Sequence, residues 1–552
     1  MQRLAACYAA RSCSKLYGRR GSQTEMDGAR RRAVAIIVIS LVLFAAEFAT
    51  YSLFSDPGTE NLRYISHHYD MDYRVWLTSK YYPPFWDYFW HLFILLFGPR
   101  YVYSSVANML FVVLGAAFVY LLLRYERAGD DFAAAGFAMT LLAPAALSAA
   151  LRVRVESMMW FLVIGFVYFL ARSRTFVRTR DASLAAVCAS LGLLGKWSFA
   201  GYIALPGIVE SLTPSKKPAR KLAGLAVFAL VGLAICGPWY LGVMEPERIL
   251  PTATNDPSLP VYSFTGMLGL NLSVLAGDVL GWLFSGLCVA LVALAVPFRP
   301  PRTLWLLLGS VAGAVVFFSI PSHTEERYLW PLVPVSAAAC ALAAWRLHER
   351  FGKLKVAPTL LLCLALLNAG ISWALVCREH GYRYQDILLR TMSLPKGTHA
   401  RFHEFFKRAA EFTGKEHPYI AIFPPLEFEF IDWGYSEYLR RISPELAPYR
   451  VCTYDFTVYW MYQEDLRAMK FDAIAMDCSI EGDCDRTFEV YLETERDRLR
   501  RPYYQVGMKE DEVKIFDPKS FIEDFELIKD HYKPVALCEC YPGYLFVMWV
   551  RR

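Results

Sequence analysis

The sequence predicts a polytopic α-helical membrane protein of about eleven spans with a C-terminal extracytoplasmic α/β domain. Three observations predict it. Hydrophobic residues make up 55% of the 552 residues, above the roughly 45–50% of soluble chains, and mean hydropathy is +0.28. The apolar excess lies in long runs between residues 33 and 377, and the remainder reads as ordinary globular sequence. Basic residues recur in every second loop between those runs.

A helix needs about 20 apolar residues to cross the hydrocarbon core. The candidates are 33–54, 101–123, 132–151, 157–171, 182–196, 198–212, 222–243, 266–297, 303–320, 328–346 and 357–377. With the N-terminus inside, the inside loops carry Arg30–Arg32, Arg124 and Arg127, Arg172 to Arg180, Lys216 to Lys221, Arg299 and Arg302, and Arg346 to Lys355. That asymmetry sets orientation, and an odd number of spans places 378–552 outside. Three regions follow: a basic cytoplasmic tail over 1–32, a membrane region over 33–377 that includes the outer loop 55–100, and a soluble region over 378–552. Residues 1–28 are arginine-bearing and acid-poor; a disordered tail, or a chain that starts at Met26, is favoured over a transit peptide.

The net charge of +6 is modest, and no basic stripe interleaved with aromatics indicates a nucleic-acid partner. Cys188, Cys236, Cys288, Cys340, Cys363 and Cys377 lie in apolar runs and read as small lipophilic residues. Cys452, Cys478, Cys484, Cys538 and Cys540 lack zinc spacing with histidines, and one or two disulfides are open to them in an oxidising compartment.

The chemistry gathers at the outer face. The loop 55–100 is dense in aromatics, and 85–97 is apolar but too short to cross, so helices lying in the interface are expected there. Asp56 and Glu60 follow the first span, and Glu156 opens another, where a charge is costly unless it faces a cavity or a partner. Two of them also have a plainer reading: Asp56 as a turn residue before Pro57-Gly58, Glu156 as the partner of Arg152 one helical turn back. Lys196 and Arg327 are cations of the same face that either snorkel to headgroups or bind a lipid-linked phosphate.

Four segments resemble the GT-C membrane glycosyltransferases, above all the protein O-mannosyltransferase and aminoarabinose-transferase-like group. They are Ser55-Asp56-Pro57 after the first span, Tyr82-Pro83-Pro84-Phe85 through Phe97-Gly98, Gly192-Leu193-Leu194-Gly195-Lys196-Trp197, and Arg327-Tyr328-Leu329-Trp330-Pro331-Leu332-Val333-Pro334. The family usually has Asp-Glu where Pro57 follows Asp56, which leaves Glu60, Asp70 and Asp72 as alternative bases. The resemblance implies transfer of a sugar from a polyprenyl-phosphate donor to an acceptor hydroxyl, with inversion. It implies Asp56 as base, with Glu156 and Glu60 as further acids at the site. Lys196, Arg327 and Arg154 would then hold the donor phosphate, in a cavity lined by Tyr82, Pro83, Pro84, Tyr328 and His323. It implies no definite cofactor, and a divalent cation stays open. The acceptor, whether glycan, lipid or protein, and the sugar are not specified. A bacterial inner membrane is the expected location. A transporter or flippase, and a catalytically silent scaffold of the same fold, are the alternatives.

Beyond 378 the pattern changes. Arg401–Phe412 reads as an amphipathic helix, and 419–423, 471–477 and 544–550 read as strands of a small α/β sandwich without a phosphate loop or nucleophile motif.

Overall fold

The structure is a computed structural model that describes residues 28–49, 55–57, 83–98, 101–151, 153–244, 263–298, 300–320, 326–351, 357–377, 393–395, 398–415, 418–423, 450–453, 459–478, 482–494, 502–503, 514–515, 518–541 and 544–552. Helices occupy each of the eleven apolar stretches. They are α1 (Gly28–Ala49), α3 (Tyr101–Tyr125) after the short α2 (Phe85–Phe97), α4 (Asp130–Leu141) with α5 (Pro144–Leu151), α6 (Val155–Ser173), α7 (Thr179–Gly195), α8 (Ala200–Leu212), α9 (Pro218–Gly242), α10 (Phe264–Val274) with α11 (Trp282–Ala295), α12 (Arg302–Phe317), α13 (Leu332–Phe351) and α14 (Ala357–Cys377).

Two expected spans are broken. Residues 132–151 bend by 57° ahead of Pro144, where a proline ring cannot continue the preceding helix. Residues 266–297 turn by 104° through a π-helical turn, Leu275–Val279, and Gly281 at φ 86°. Ser285 Oγ there donates to the carbonyl of Ala276 at 2.9 Å. By length and apolar composition, four described helices can cross a bilayer, or six if each bent pair is one span. The helices α7, α8 and α12 have 17, 13 and 16 residues, short of the roughly 20 a full crossing needs.

Small residues build the centre. Ser336 to Ala344 of α13 are all buried, as are Ala133 to Ala138 of α4. A Cβ on Gly136 would stand 2.6 Å from Leu123 Cδ1 and 3.3 Å from Ala341 Cβ, so α3, α4 and α13 converge there. Close backbone approach of this kind is how helices associate where lipid offers no hydrophobic drive. The outer surface is the reverse: Leu222, Leu230, Leu233 and Leu241 of α9 are exposed, a face suited to acyl chains.

One end of the bundle is tied by a buried carboxylate. After α6 the chain turns through Arg174, Thr175 and Phe176 at φ 52°, 60° and 62°, a left-handed run costing roughly 1–2 kcal/mol per residue. Glu210 of α8, fully buried, accepts the Thr175 N–H at 2.6 Å and pairs with Arg302 Nη1 at 3.1 Å. Arg302 Nη2 in turn donates to the carbonyl of Ala171 at 3.0 Å.

A five-stranded sheet follows, with β3 (Tyr419–Phe423), β4 (Arg450–Thr453), β5 (Ala473–Asp477), β6 (Tyr532–Tyr541) and β7 (Tyr544–Arg551) in the order β4-β3-β5-β7-β6. The central pair β3 and β5 is parallel and reads as near-continuous apolar sequence, as strands covered on both faces do. Its core holds Ile474, Met476, Phe488 and Phe525, the last two rings stacked at 4.0 Å. Cys478 and Cys484 are disulfide-bonded, one of the pairings left open by the sequence. All three expected strands and the helix (Thr398–Thr413) are present.

The tight approach of α9 to the left-handed turn gives a test. A Cβ on Gly224 would lie 1.7 Å from the Phe176 carbonyl oxygen, whereas one on Gly232 meets nothing nearer than Ser190 Oγ at 3.9 Å. Gly224→Ala should destabilise the protein by about 1–3 kcal/mol or more, read as a lower melting temperature in detergent. Gly232→Ala should melt like the parent.

Candidate active site

Three chain segments converge on Glu156. The first is the start of α6, where Arg154 is the extended residue ahead of the helix and Glu156 sits in the first turn, a position favourable to negative charge. The second is the end of α7. A Cβ on Gly195 would lie 2.8 Å from Met158 Cε and 3.2 Å from Val155 Cγ2, so the end of α7 lies close against the first turn of α6. The Phe199 ring folds back onto Gly192, where a Cβ would meet it at 2.3 Å, and Lys196 is left extended between the two helical pieces. The third is the one-turn 3₁₀ helix Glu326–Leu329 that leads into α13. Pro334 stands in the first turn of α13, where a missing N–H costs nothing.

The geometry is close. Lys196 Nζ lies 2.7 Å from Glu156 Oε1 and 3.9 Å from the centre of the Tyr328 ring. Arg327 Nε is 4.0 Å from the same carboxylate oxygen, and the Arg327 guanidinium is 5.5 Å from the Tyr328 ring centre. The carboxylate is 2% exposed, and its other oxygen, Oε2, has no hydrogen-bond partner. A buried charge of this kind is costly unless a cation stands beside it. Glu156 therefore pairs with Lys196 across the fold. Arg152, its expected local partner, lies outside the described residues.

Of the other expected site residues, Arg154 is beside the cluster in sequence and Pro83 and Pro84 stand at the start of α2. Asp56 is placed by its backbone, in a strand β1 (Ser55–Pro57) paired antiparallel with β2 (Ser393–Pro395), opposite Leu394. Glu60, Asp70, Asp72, Tyr82 and His323 lie outside the described residues. Among the described residues, no three His, Cys, Asp or Glu side chains gather as a metal site.

Sequence reading missed one contributor to the cluster, Tyr202, and one buried acid, Asp87. Tyr202 of α8, buried between Phe199 and Phe318, donates its hydroxyl hydrogen to the Tyr328 carbonyl and so holds the 3₁₀ turn in place. Nothing in an apolar run marks one tyrosine out from its aromatic neighbours. Asp87 had a signal, a lone acid in Phe-Trp-Asp-Tyr-Phe-Trp. It is 7% exposed, and burial pushes its carboxyl up to about 7. Its helix α2 packs against α7, the helix that ends at Lys196.

Two stability predictions follow from these charges. Lys196→Met leaves Glu156 buried without its nearest cation and should cost about 3–5 kcal/mol; adding Glu156→Gln should recover most of the lost melting temperature. For Asp87, the folded carboxyl keeps its proton to about 7 while an unfolded aspartate ionises near ~3.9. The folded state is thus penalised increasingly as pH rises through that window. Asp87→Asn should melt above the parent at pH 8, and the gap should close by about pH 4.

Residues 261–404, which run from before α10 into the helix Thr398–Thr413, match the model of the Alg9-like mannosyltransferase family. No curated protein matches the chain by sequence. Two solved structures share its fold along nearly the whole length. One is ArnT from Cupriavidus metallidurans in the apo state, with a TM-score of 0.56 and 15% identity over 93% of this chain and 97% of that one. The other is ArnT from the same organism bound to undecaprenyl phosphate, with a TM-score of 0.54 and 16% identity over the same shares. The chain thus has an ArnT-like fold, within which residues 261–404 are similar to the Alg9-like mannosyltransferase family.

Proposed function

We propose that the protein moves a sugar from a polyprenyl-phosphate-linked donor to an acceptor hydroxyl at the outer face of the membrane, with inversion at the sugar carbon. The observation that carries this reading is the pair of cations, Lys196 and Arg327, brought from distant parts of the chain to one buried point. A phosphate leaving group needs positive charge on its developing anion and no proton donor. Two flexible cationic stems at helix ends supply that charge, with Arg154 as the third. The undecaprenyl phosphate carried by ArnT in one of its structures supports a carrier of the same chemical class here.

On the acceptor side, one carboxylate must take the hydroxyl proton within hydrogen-bond reach. Asp56 is the proposed base, with Glu60 as the alternate. The acceptor oxygen forms a bond to the sugar carbon, the bond from that carbon to the phosphate oxygen breaks, and its electron pair stays on the phosphate. Tyr328 faces Lys196, and Tyr82, Pro83, Pro84 and His323 are proposed to line the donor's approach. The plan of eleven spans, with 378–552 as a soluble domain on the outer side, belongs to the same proposal. So does the bacterial inner membrane as the location.

The test is purified protein in detergent or nanodiscs with a labelled polyprenyl-phosphate sugar and a membrane extract as acceptor. Turnover is expected in the parent. Asp56→Asn should abolish it, and Arg327→Gln should lower the rate by about 10²–10³, the usual loss on removing one charge-stabilising donor. Full activity in Asp56→Asn removes Asp56 as base. Movement of the lipid across the bilayer without sugar transfer would replace the proposal with a flippase.

A further inference from the structure

We propose that Glu156 is a resident counter-anion that exchanges with the carrier phosphate on Lys196 and thereby sets how tightly the spent carrier is held. The inference rests on the reading of Lys196 as a phosphate-binding cation.

One ammonium has two claimants. Lys196 Nζ is 2.7 Å from Glu156 Oε1 and lies over the Tyr328 ring at 3.9 Å. An incoming phosphate either displaces the carboxylate from that ammonium or shares the ammonium with a second negative charge beside it. Both cost affinity.

Three features make the exchange feasible. Glu156 grips with one oxygen, and Oε2 has no hydrogen-bond partner, so the pair lacks the full satisfaction that makes a buried ion pair hard to open. The carboxylate sits in the first turn of α6, where the helix N-terminus still offsets its charge once Lys196 swings away. Arg327 Nε, at 4.0 Å, stays within reach of it. Lys196 itself sits at a break between helices with an aromatic face to rest on, so its ammonium can shift without unfolding a helix.

The chemistry gives the exchange a purpose. The donor is a phosphodiester with one negative charge, whereas the product is a phosphomonoester with about −1.5 to −2 at neutral pH. Cations that hold the donor adequately will hold the product more strongly. A built-in carboxylate that recaptures Lys196 weakens the product state most and favours its release.

The experiment measures binding of a short-chain polyprenyl phosphate to the full chain in detergent, and its inhibition of turnover. Glu156→Gln should bind the lipid phosphate about tenfold tighter, since coupling between close charges commonly reaches that size, and product inhibition should strengthen by the same factor. Polyprenol, which has no phosphate, should bind the variant and the parent alike. Glu156→Asp, whose shorter side chain retreats from Lys196, should fall between the two and decides the matter should the Gln variant not fold. Unchanged or weaker binding in folded Glu156→Gln or Glu156→Asp, with binding lost in Lys196→Met, overturns the exchange and leaves the phosphate site intact. Equal binding by the parent and Lys196→Met overturns the phosphate site, and the exchange with it.

Discussion

The ion pair between Glu156 and Lys196 fixes where helix ends must meet. A carboxylate removed from water costs several kcal/mol unless a cation reaches it, so the pair draws the first turn of α6 and the last turn of α7 together. That single demand recruits the rest. Gly195 clears the space against Met158 and Val155, and Gly192 receives the Phe199 ring. With Phe199 folded back, α8 starts where Tyr202 can hold the Tyr328 carbonyl. Tyr328 then offers its face to Lys196, and Arg327 arrives on the same turn.

The bundle has a second buried carboxylate, and the contrast is informative. Ala171, whose carbonyl Arg302 caps, is 15 residues along α6 from Glu156, or about 22 Å. Glu210 and Arg302 both bind backbone there: Glu210 takes the Thr175 N–H, and Arg302 donates to the Ala171 carbonyl. Breaking that network frees main-chain groups and relaxes a strained left-handed turn, so it locks. In the Glu156 network the named contacts of Lys196 are a carboxylate and an aromatic face, both on side chains. Side chains can trade partners without moving helices. One end of α6 is therefore built to hold and the other to respond.

Periodicity and hydropathy made the helices legible because lipid-facing and core positions are both apolar and long runs have one physical meaning. The same uniformity hid the breaks. The bend at Pro144 carried a proline, but the 104° turn near Gly277 and Gly281 looked like one continuous run, since hydropathy does not register direction. At the site, Glu156, Lys196 and Arg327 stood out as charges beside hydrocarbon, and the structure brings the three together. Their pairing was not legible: a local partner at Arg152 and a remote one at Lys196 look alike in sequence, and the helix-end packing that brings Lys196 to Glu156 exists only in three dimensions. Tyr202 was invisible for the same reason.

Fold likeness over 93% of the chain at 15–16% identity fits this division of labour. Most positions in a membrane bundle need only be apolar and of workable size, so they wander freely. At the helix ends of this chain, glycines set approach distances and a few charges find one another. The proposed base is supported differently. Asp56 lies on a three-residue strand against Ser393–Pro395, a pairing too short to be stable alone. It depends on α1 ahead of one strand and α14 ahead of the other. The cations are thus carried by the packed interior, and the acid by a junction between the start of the bundle and the chain that leaves it.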